Sequence, residues 1–246
     1  MGLDINNLFG GYAGHNILKN ISFKVPDGKI VALIGLNGAG KSTTINHVIG
    51  ELQPQMGTIA LNGVDLIKTP TEFKKQIAYI PEQPILYDEL TLSEHLHLML
   101  SAYELDDEQH WQLVEKLLTK FRLEKKQHWL PTHFSKGMKQ KVMLVAAFML
   151  ERPLLIIDEP FLGLDTLAIK AVIDLMQEQA RKGNSILLTT HLLKEATQFV
   201  DEFVVLYDGR IRFTGSPHHL AAASQLSVDN LEQFFESIQE ELDDER

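Results

Sequence analysis

The chain has 246 residues, enough for one large α/β domain with a substantial buried core, and no cysteine, which excludes disulfides, thiolate metal sites and thiol nucleophiles. Its formal net charge of −10 argues against nonspecific binding to nucleic acid or anionic lipid, since neutralising phosphates takes an excess of lysine and arginine. Eight of its acids fall between Asp229 and Glu245, so the body is nearer neutral than the total.

The start, Met1-Gly2-Leu3-Asp4, has no basic, apolar leader, and Asn6 breaks the myristoylation pattern, so secretion and lipid anchoring are not expected. The longest apolar run, residues 142–150, is far short of the ~18 residues a spanning helix needs. Any membrane role is therefore expected to come through a partner. Ile5-Asn6-Asn7-Leu8-Phe9 and Ile21-Ser22-Phe23-Lys24-Val25 predict antiparallel strands, with a turn at Gly10-Gly11-Tyr12 from which Tyr12 would project.

Lys29-Ile30-Val31-Ala32-Leu33-Ile34 reads as a buried strand, and it runs into Gly35-Leu36-Asn37-Gly38-Ala39-Gly40-Lys41-Ser42, a match to G-x-x-x-x-G-K-[ST]. The glycines reach backbone angles that turn several N–H groups toward one anion. Lys41 supplies a point charge for β- and γ-phosphates, Ser42 a hydroxyl for Mg²⁺, and the helix that begins near Lys41 aims the positive end of its dipole at the same anion. The strand, loop and helix together predict a phosphate cradle for a nucleotide.

Beyond that helix, Thr58-Ile59-Ala60-Leu61 with Asn62-Gly63 predicts a hairpin, and Ile77-Ala78-Tyr79-Ile80 a short strand stopped by Pro81-Glu82-Gln83-Pro84. Thr91-Leu92-Ser93-Glu94 is a capping box, and helical spacing continues through Trp111, Val114 and Leu117 to Phe121. His95 and His97, two apart on a helix, face different ways and receive no metal role. Phe134-Ser135-Lys136-Gly137-Met138 opens a further apolar helix, expected to run to Pro153. Leu154-Leu155-Ile156-Ile157-Asp158-Glu159 is apolar on both faces, a central strand that delivers two carboxylates at its C-terminal edge. In an extended chain adjacent side chains point oppositely, so Asp158 is expected to bind metal, directly or through water, while Glu159 faces elsewhere to orient or deprotonate a water. An amphipathic helix over 166–181, a buried strand over 185–189 ending near His191, and a hairpin at Asp208-Gly209 complete the pattern. In the tail from Asp229, Leu231, Phe234, Phe235, Ile238 and Leu242 share one helical face, expected to dock on this domain or a copy of it.

Together these residues resemble the ATP-binding cassette ATPases, the nucleotide-binding subunits of ABC transporters, over nearly the whole chain. Tyr12 is similar to the aromatic that stacks on adenine, residues 35–42 with Thr43 to Walker A, residues 154–159 to Walker B, Asp165 in Gly163-Leu164-Asp165 to the D-loop, and His191 to the switch histidine. Ser135 and Gly137 fit the LSGGQ signature, with Lys136 in place of its first glycine and Met138 in place of its glutamine. Where the family usually has a glutamine near Mg²⁺, this chain has Glu82, followed by Gln83. Tyr79-Ile80-Pro81-Glu82, the Phe134 to Lys141 stretch and Glu159-Pro160-Phe161-Leu162-Gly163-Leu164-Asp165 look most like the ATPase subunits of Firmicute Ecs-type transporters.

The resemblance implies an α/β P-loop NTPase fold with a mainly parallel central sheet, an N-terminal antiparallel β subdomain and a helical subdomain. The core would take residues 1–85 and 150–225, the helical part 86–149, and a C-terminal acidic amphipathic helix 228–246. It implies ATP and Mg²⁺ as cofactors, the metal held by Ser42, Asp158 and Glu82, with catalysis by Glu159 and His191. It also implies an ATP-dependent homodimer in which Ser135, Lys136 and Gly137 act in trans. An integral membrane subunit would dock on the helical stretch over 87–103, with the chain cytoplasmic and peripheral to the cell membrane. A nucleotide-binding regulatory module without turnover is a second reading, and a ribosome- or DNA-associated ATP switch a third, disfavoured by the acidic charge.

Overall fold

A computed structural model describes residues 1–224 and 233. Strands β1 (Gly2–Tyr12) and β2 (His15–Pro26) form an antiparallel ribbon that turns at Ala13 and Gly14, both left-handed at φ 49° and 81°. The expected turn at Gly10-Gly11-Tyr12 is therefore strand. Gly10 is glycine because a Cβ there would collide with the His47 ring, and Gly11 because one would collide with the His15 carbonyl. The other edge of β1 takes β4 (Met56–Leu61), which returns through Asn62 and Gly63, at φ 52° and 84°, to β5 (Val64–Asp65). Positive φ at both central residues is what a two-residue type I′ hairpin needs. The resulting sheet has the order β2-β1-β4-β5.

The second sheet has the order β10-β9-β3-β8-β7-β6. Its strands β3 (Ile30–Ile34), β6 (Ile77–Ile80), β7 (Leu154–Asp158), β8 (Ser185–Thr189) and β9 (Glu202–Tyr207) run parallel. Only the edge strand β10 (Arg210–Gly215) is antiparallel, joined through Asp208 and Gly209 at φ 42° and 70°. Every residue of β3, β7 and β8 is buried, as expected of strands covered on both faces.

The alternation of side chains along β3 divides the core. Ile30, Ala32 and Ile34 join the cluster formed with helices α3 (Leu92–Ala102), α4 (Glu108–Phe121), α5 (Lys136–Phe148) and α6 (Thr166–Arg181). Val31 and Leu33 join the cluster on the other face, with α1 (Lys41–Val48), α2 (Pro70–Lys74) and the four-stranded sheet. The short helices α7 (Leu193–Ala196) and α8 (Pro217–Ser224) cover the first face beside β9 and β10.

The capping box at α3 forms as read: Glu94 N donates to Thr91 Oγ1 at 3.3 Å and Thr91 N to Glu94 Oε2 at 2.7 Å. His95 is buried there as a structural residue, its Nε2 accepting from Tyr87 N at 2.7 Å, which leaves Nδ1 to donate to the Thr91 carbonyl at 3.0 Å. Helix begins only at Leu92, so residues 87–90 of the expected helical stretch form a turn. Helix α5 stops at Phe148 rather than at Pro153, and Glu151 lies beyond it in a left-handed conformation at φ 44°. The amphipathic tail over 228–246 lies outside the described residues.

Candidate functional site

The four parallel strands β3, β8, β7 and β6 are neighbours, and the segments that leave their C-terminal ends converge on one cavity of about 410 Å³. Crevices beyond the carboxyl ends of strands are where open α/β sheets bind ligands. Here β3 delivers residues 35–42, β7 delivers Asp158 and Glu159, β8 leads to His191, and β6 leads to Glu82.

The glycine loop is shaped by close approaches and left-handed backbone. Gly35 lies against the Leu206 carbonyl, where a Cβ would collide, and Ala39 N closes a turn onto Leu36 O at 3.1 Å. Gly38, at φ 80°, borders open space on the cavity side, and Gly40, at φ 108°, is the N-cap of α1 without any capping side chain. Among the described residues the first-turn amides of α1 therefore have no side-chain acceptor, and no acid lies in that turn, which suits an anion. Asn37, Ser42 and Thr43 also line the cavity, while Leu36 and Ala39 shape the loop from behind it. Lys41 Nζ donates to the carbonyls of Gly35 at 2.8 Å and Leu36 at 3.2 Å. Burial lowers its pKa, and the nearby charges of Glu159, Asp158 and Glu82 act the other way.

Asp158 and Glu159 both line this cavity. The expectation that they face apart fails because Glu159 lies just past the strand with φ 50°, a left-handed residue that turns the chain instead of continuing the pleat. Asp158 Oδ1 accepts from the Thr189 hydroxyl. Glu159 Oε2 accepts from His191 N at 3.2 Å, and His191 Nε2 lies 3.2 Å from Glu159 Oε1 without the alignment of a hydrogen bond. Oε1 thus remains a buried acceptor without a hydrogen-bond partner among the described residues. Burial raises the pKa of both carboxyls, against the lowering influence of the Thr189 bond on Asp158 and of His191 on Glu159, and Glu82 adds a raising charge at Asp158. The arrangement offers one cation and backbone amides for phosphates, and a set of acids for a metal and a water.

The expected signature and D-loop residues do not line the cavity. Ser135 N-caps α5, its Oγ accepting from Met138 N at 3.3 Å, and Lys136 beside it is exposed. Gly137 presses against the Gly163 carbonyl so closely that a Cβ would collide. Asp165 N-caps α6 by accepting from Ala168 N at 2.9 Å, and Lys141 Nζ on α5 holds its other oxygen at 2.8 Å, which keeps its pKa below the ordinary aspartate value. The signature stretch and the D-loop therefore form one locked unit apart from the glycine loop. Tyr12 also stands aside: its hydroxyl accepts from Asn46 Nδ2 of α1 at 2.8 Å, and Ile17 of β2 lines the cavity instead. Ile17, Leu162 and the buried Thr189 were not read from the sequence, since nothing in their local pattern marks them.

Comparison with known proteins agrees with this geometry. The family model described as ABC transporter matches residues 18–162. The chain is 50% identical over 214 residues, 87% of each chain, to "ABC-type transporter ATP-binding protein EcsA" of Bacillus subtilis (strain 168). It is 35% identical over 93% of each chain to "Uncharacterized ABC transporter ATP-binding protein YthP" of the same organism. A solved structure described as "Structure of ATP binding subunit of ABC transporter" matches with a TM-score of 0.91 at 49% identity, covering 96% of this chain and 99% of that one. With the phosphate-loop sheet, the acids at its edge and these relatives in agreement, the chain belongs to the ABC transporter family, as one of its ATP-binding, ATP-hydrolysing subunits.

Proposed function

We propose that this chain is the motor subunit of a transporter, energising a separate membrane-spanning subunit through ATP-driven dimerisation and hydrolysis. Residues 35–42 and Thr43 hold the phosphates through backbone amides and Lys41, and Tyr12 reaches the base from the side of α1. When bound, Mg²⁺ supplies charge neutralisation at the phosphates, with Ser42, Asp158 and Glu82 as the groups that hold it, directly or through water. Glu159 takes a proton from the attacking water or polarises it, and His191 keeps that carboxylate oriented through its backbone N–H. The observation that carries the reading is a single cavity lined by Lys41, Ser42, Asp158, Glu159 and His191, in which one buried oxygen of Glu159 has no hydrogen-bond partner among the described residues.

The signature stretch lies outside that cavity, so in this reading a second copy brings Ser135, Lys136 and Gly137 to the phosphates, with Asp165 following on the same locked unit. Within the described residues no helix is long and apolar enough to cross a membrane. The chain then works at the cytoplasmic face, docked to its membrane partner through the surface of residues 87–103, where Tyr87 and Leu98 are exposed.

Glu159→Gln tests the mechanism. The amide keeps the shape of the site, so nucleotide binding persists while hydrolysis falls by the ~10²–10⁴-fold typical of losing a general base. ATP then acts as a ligand of the dimer and draws the population toward it. Size-exclusion chromatography with light scattering should show Glu159→Gln as a dimer in ATP and as a monomer when Ser135→Arg is added. A variant that binds ATP yet stays monomeric refutes the shared site.

A further inference from the structure

The two acids at the end of β7 are fixed by a residue on the neighbouring strand. Thr189 ends β8, is fully buried, and stands opposite Asp158 in the parallel register. Its hydroxyl makes two bonds at once: it donates to Asp158 Oδ1, and it accepts from the backbone N–H of Glu159 at 3.1 Å. A hydroxyl has one proton to give and lone pairs to receive with, so both bonds are satisfied by one atom without competition. The second bond falls at the residue whose φ is 50°, a conformation uncommon for a residue other than glycine and in need of a fixed partner. No other hydrogen bond to the Asp158 carboxylate occurs among the described residues.

We infer that Thr189 is a positioning residue that sets Asp158 and Glu159 in one geometry, leaving Asp158 Oδ2 free for a divalent cation and holding the left-handed turn that brings Glu159 into the same cavity. Without the hydroxyl, Asp158 can rotate about its side-chain torsions and the Glu159 amide loses its only acceptor among the described residues in a buried place, where an unpaired donor is costly. Partners that orient a metal-binding carboxylate typically matter by 10–100-fold in metal affinity or activity. The inference rests on the reading of Asp158 as a metal-holding group, and the test separates the two.

Thr189→Val keeps the volume and β-branching and removes the hydroxyl, whereas Thr189→Ser keeps the hydroxyl. Binding of a fluorescent ATP analogue would be titrated with and without MgCl₂, and steady-state hydrolysis followed against MgCl₂. Hydrogen exchange at the Glu159 amide would be measured in metal-free, nucleotide-free protein. For Thr189→Val the expectation is unchanged nucleotide affinity without Mg²⁺, a Mg²⁺ midpoint 10–100-fold higher and faster exchange at Glu159. Thr189→Ser should stay within about 3-fold of the parent on all three. A Thr189→Val protein with the parent's Mg²⁺ midpoint and protected Glu159 amide overturns the inference, and so does a Thr189→Ser protein that fails as Thr189→Val does. Should Thr189→Val lose its cooperative melting transition, Thr189→Cys replaces it: a thiol is a poor donor, so the Mg²⁺ midpoint must still rise, and a parental value overturns the inference. A parent protein whose binding and turnover ignore Mg²⁺ would instead overturn the metal reading of Asp158.

Discussion

Replacing Gly137 by alanine sets two opposed effects against each other. Gly137 is the second residue of α5, so alanine gains about 1 kcal/mol of helix propensity over glycine. Against this, the new Cβ would fall inside contact distance of the Gly163 carbonyl oxygen, a backbone atom that no rotamer change can move. The turn must retreat by about 1 Å to restore ordinary contact, and it is closed by Leu164 N on Phe161 O at 3.2 Å, with Gly163 at φ 75°. Overpacking of this kind typically costs about 1–3 kcal/mol, so the net loss centres near ~1 kcal/mol, or roughly 2–4 °C in Tm for a chain of this size. Activity should fall further, because the same short loop starts at Glu159 and ends at Asp165, and a displacement of ~1 Å at reacting groups can cost ~10²-fold in rate. Scanning calorimetry and steady-state ATPase assays measure both, with an ATP-analogue titration to show that the glycine loop still binds. A Gly137→Ala protein that melts no lower than the parent and hydrolyses ATP at the parent's rate refutes the argument.

Lys41→Ala removes the cation proposed to face the phosphates and should weaken ATP by roughly 10–100-fold, the worth of a charged hydrogen bond of about 1.5–3 kcal/mol; unchanged affinity in a fluorescent-analogue titration would end that assignment. Burial raises the Glu159 carboxyl above its ordinary 4.5, so the unfolded chain releases this proton at lower pH than the native one, and the penalty grows as pH rises from the unfolded value through the native one. Glu159→Gln should therefore melt higher than the parent at pH 7 and converge with it near about pH 4, and thermal melts in which the parent is the more stable at pH 7 would contradict this. Gly209→Ala should lower Tm and disturb the cavity wall, since its Cβ would collide with the carbonyl of Ile17, its φ is 70°, and its N–H holds Ala39 O at 3.0 Å; unaltered melting and nucleotide affinity would show that the hairpin does not brace the loop.

What the sequence made legible were features whose cause is local. The apolar runs of β3, β7 and β8 announce strands covered on both faces, the glycine pattern announces a phosphate loop, and the Thr91 capping box announces the start of α3. What stayed hidden depends on a neighbour distant in sequence. Gly10 and Gly11 look like turn residues, yet they are small because the His47 ring and the His15 carbonyl occupy the space a side chain would take. Thr189 resembles any strand-ending threonine until the register sets it against Asp158. The alternation rule fails at Glu159 because it applies to pleated chain, and that residue has already left the strand. Helices α2 and α7, of five and four residues, are too short to show a period at all.

The charges of the cavity bear on which ligand the proposed site would favour. Burial depresses the Lys41 ammonium and raises the Asp158 and Glu159 carboxyls, so desolvation drives each of the three toward its neutral form. Lys41 is held by two carbonyls rather than paired to either acid, and Glu159 keeps an oxygen without a hydrogen bond among the described residues, so these residues alone compensate the charges only in part. On the proposed reading, a phosphate chain would bring negative charge to Lys41 and the α1 amides, and a divalent cation would bring positive charge to Asp158 and Glu82. Each taken alone repairs one half of the imbalance and worsens the other, because free phosphates sit beside three acids and a bare cation sits beside Lys41. The two together would satisfy both, so on this reading the site would favour the metal-nucleotide complex over either component.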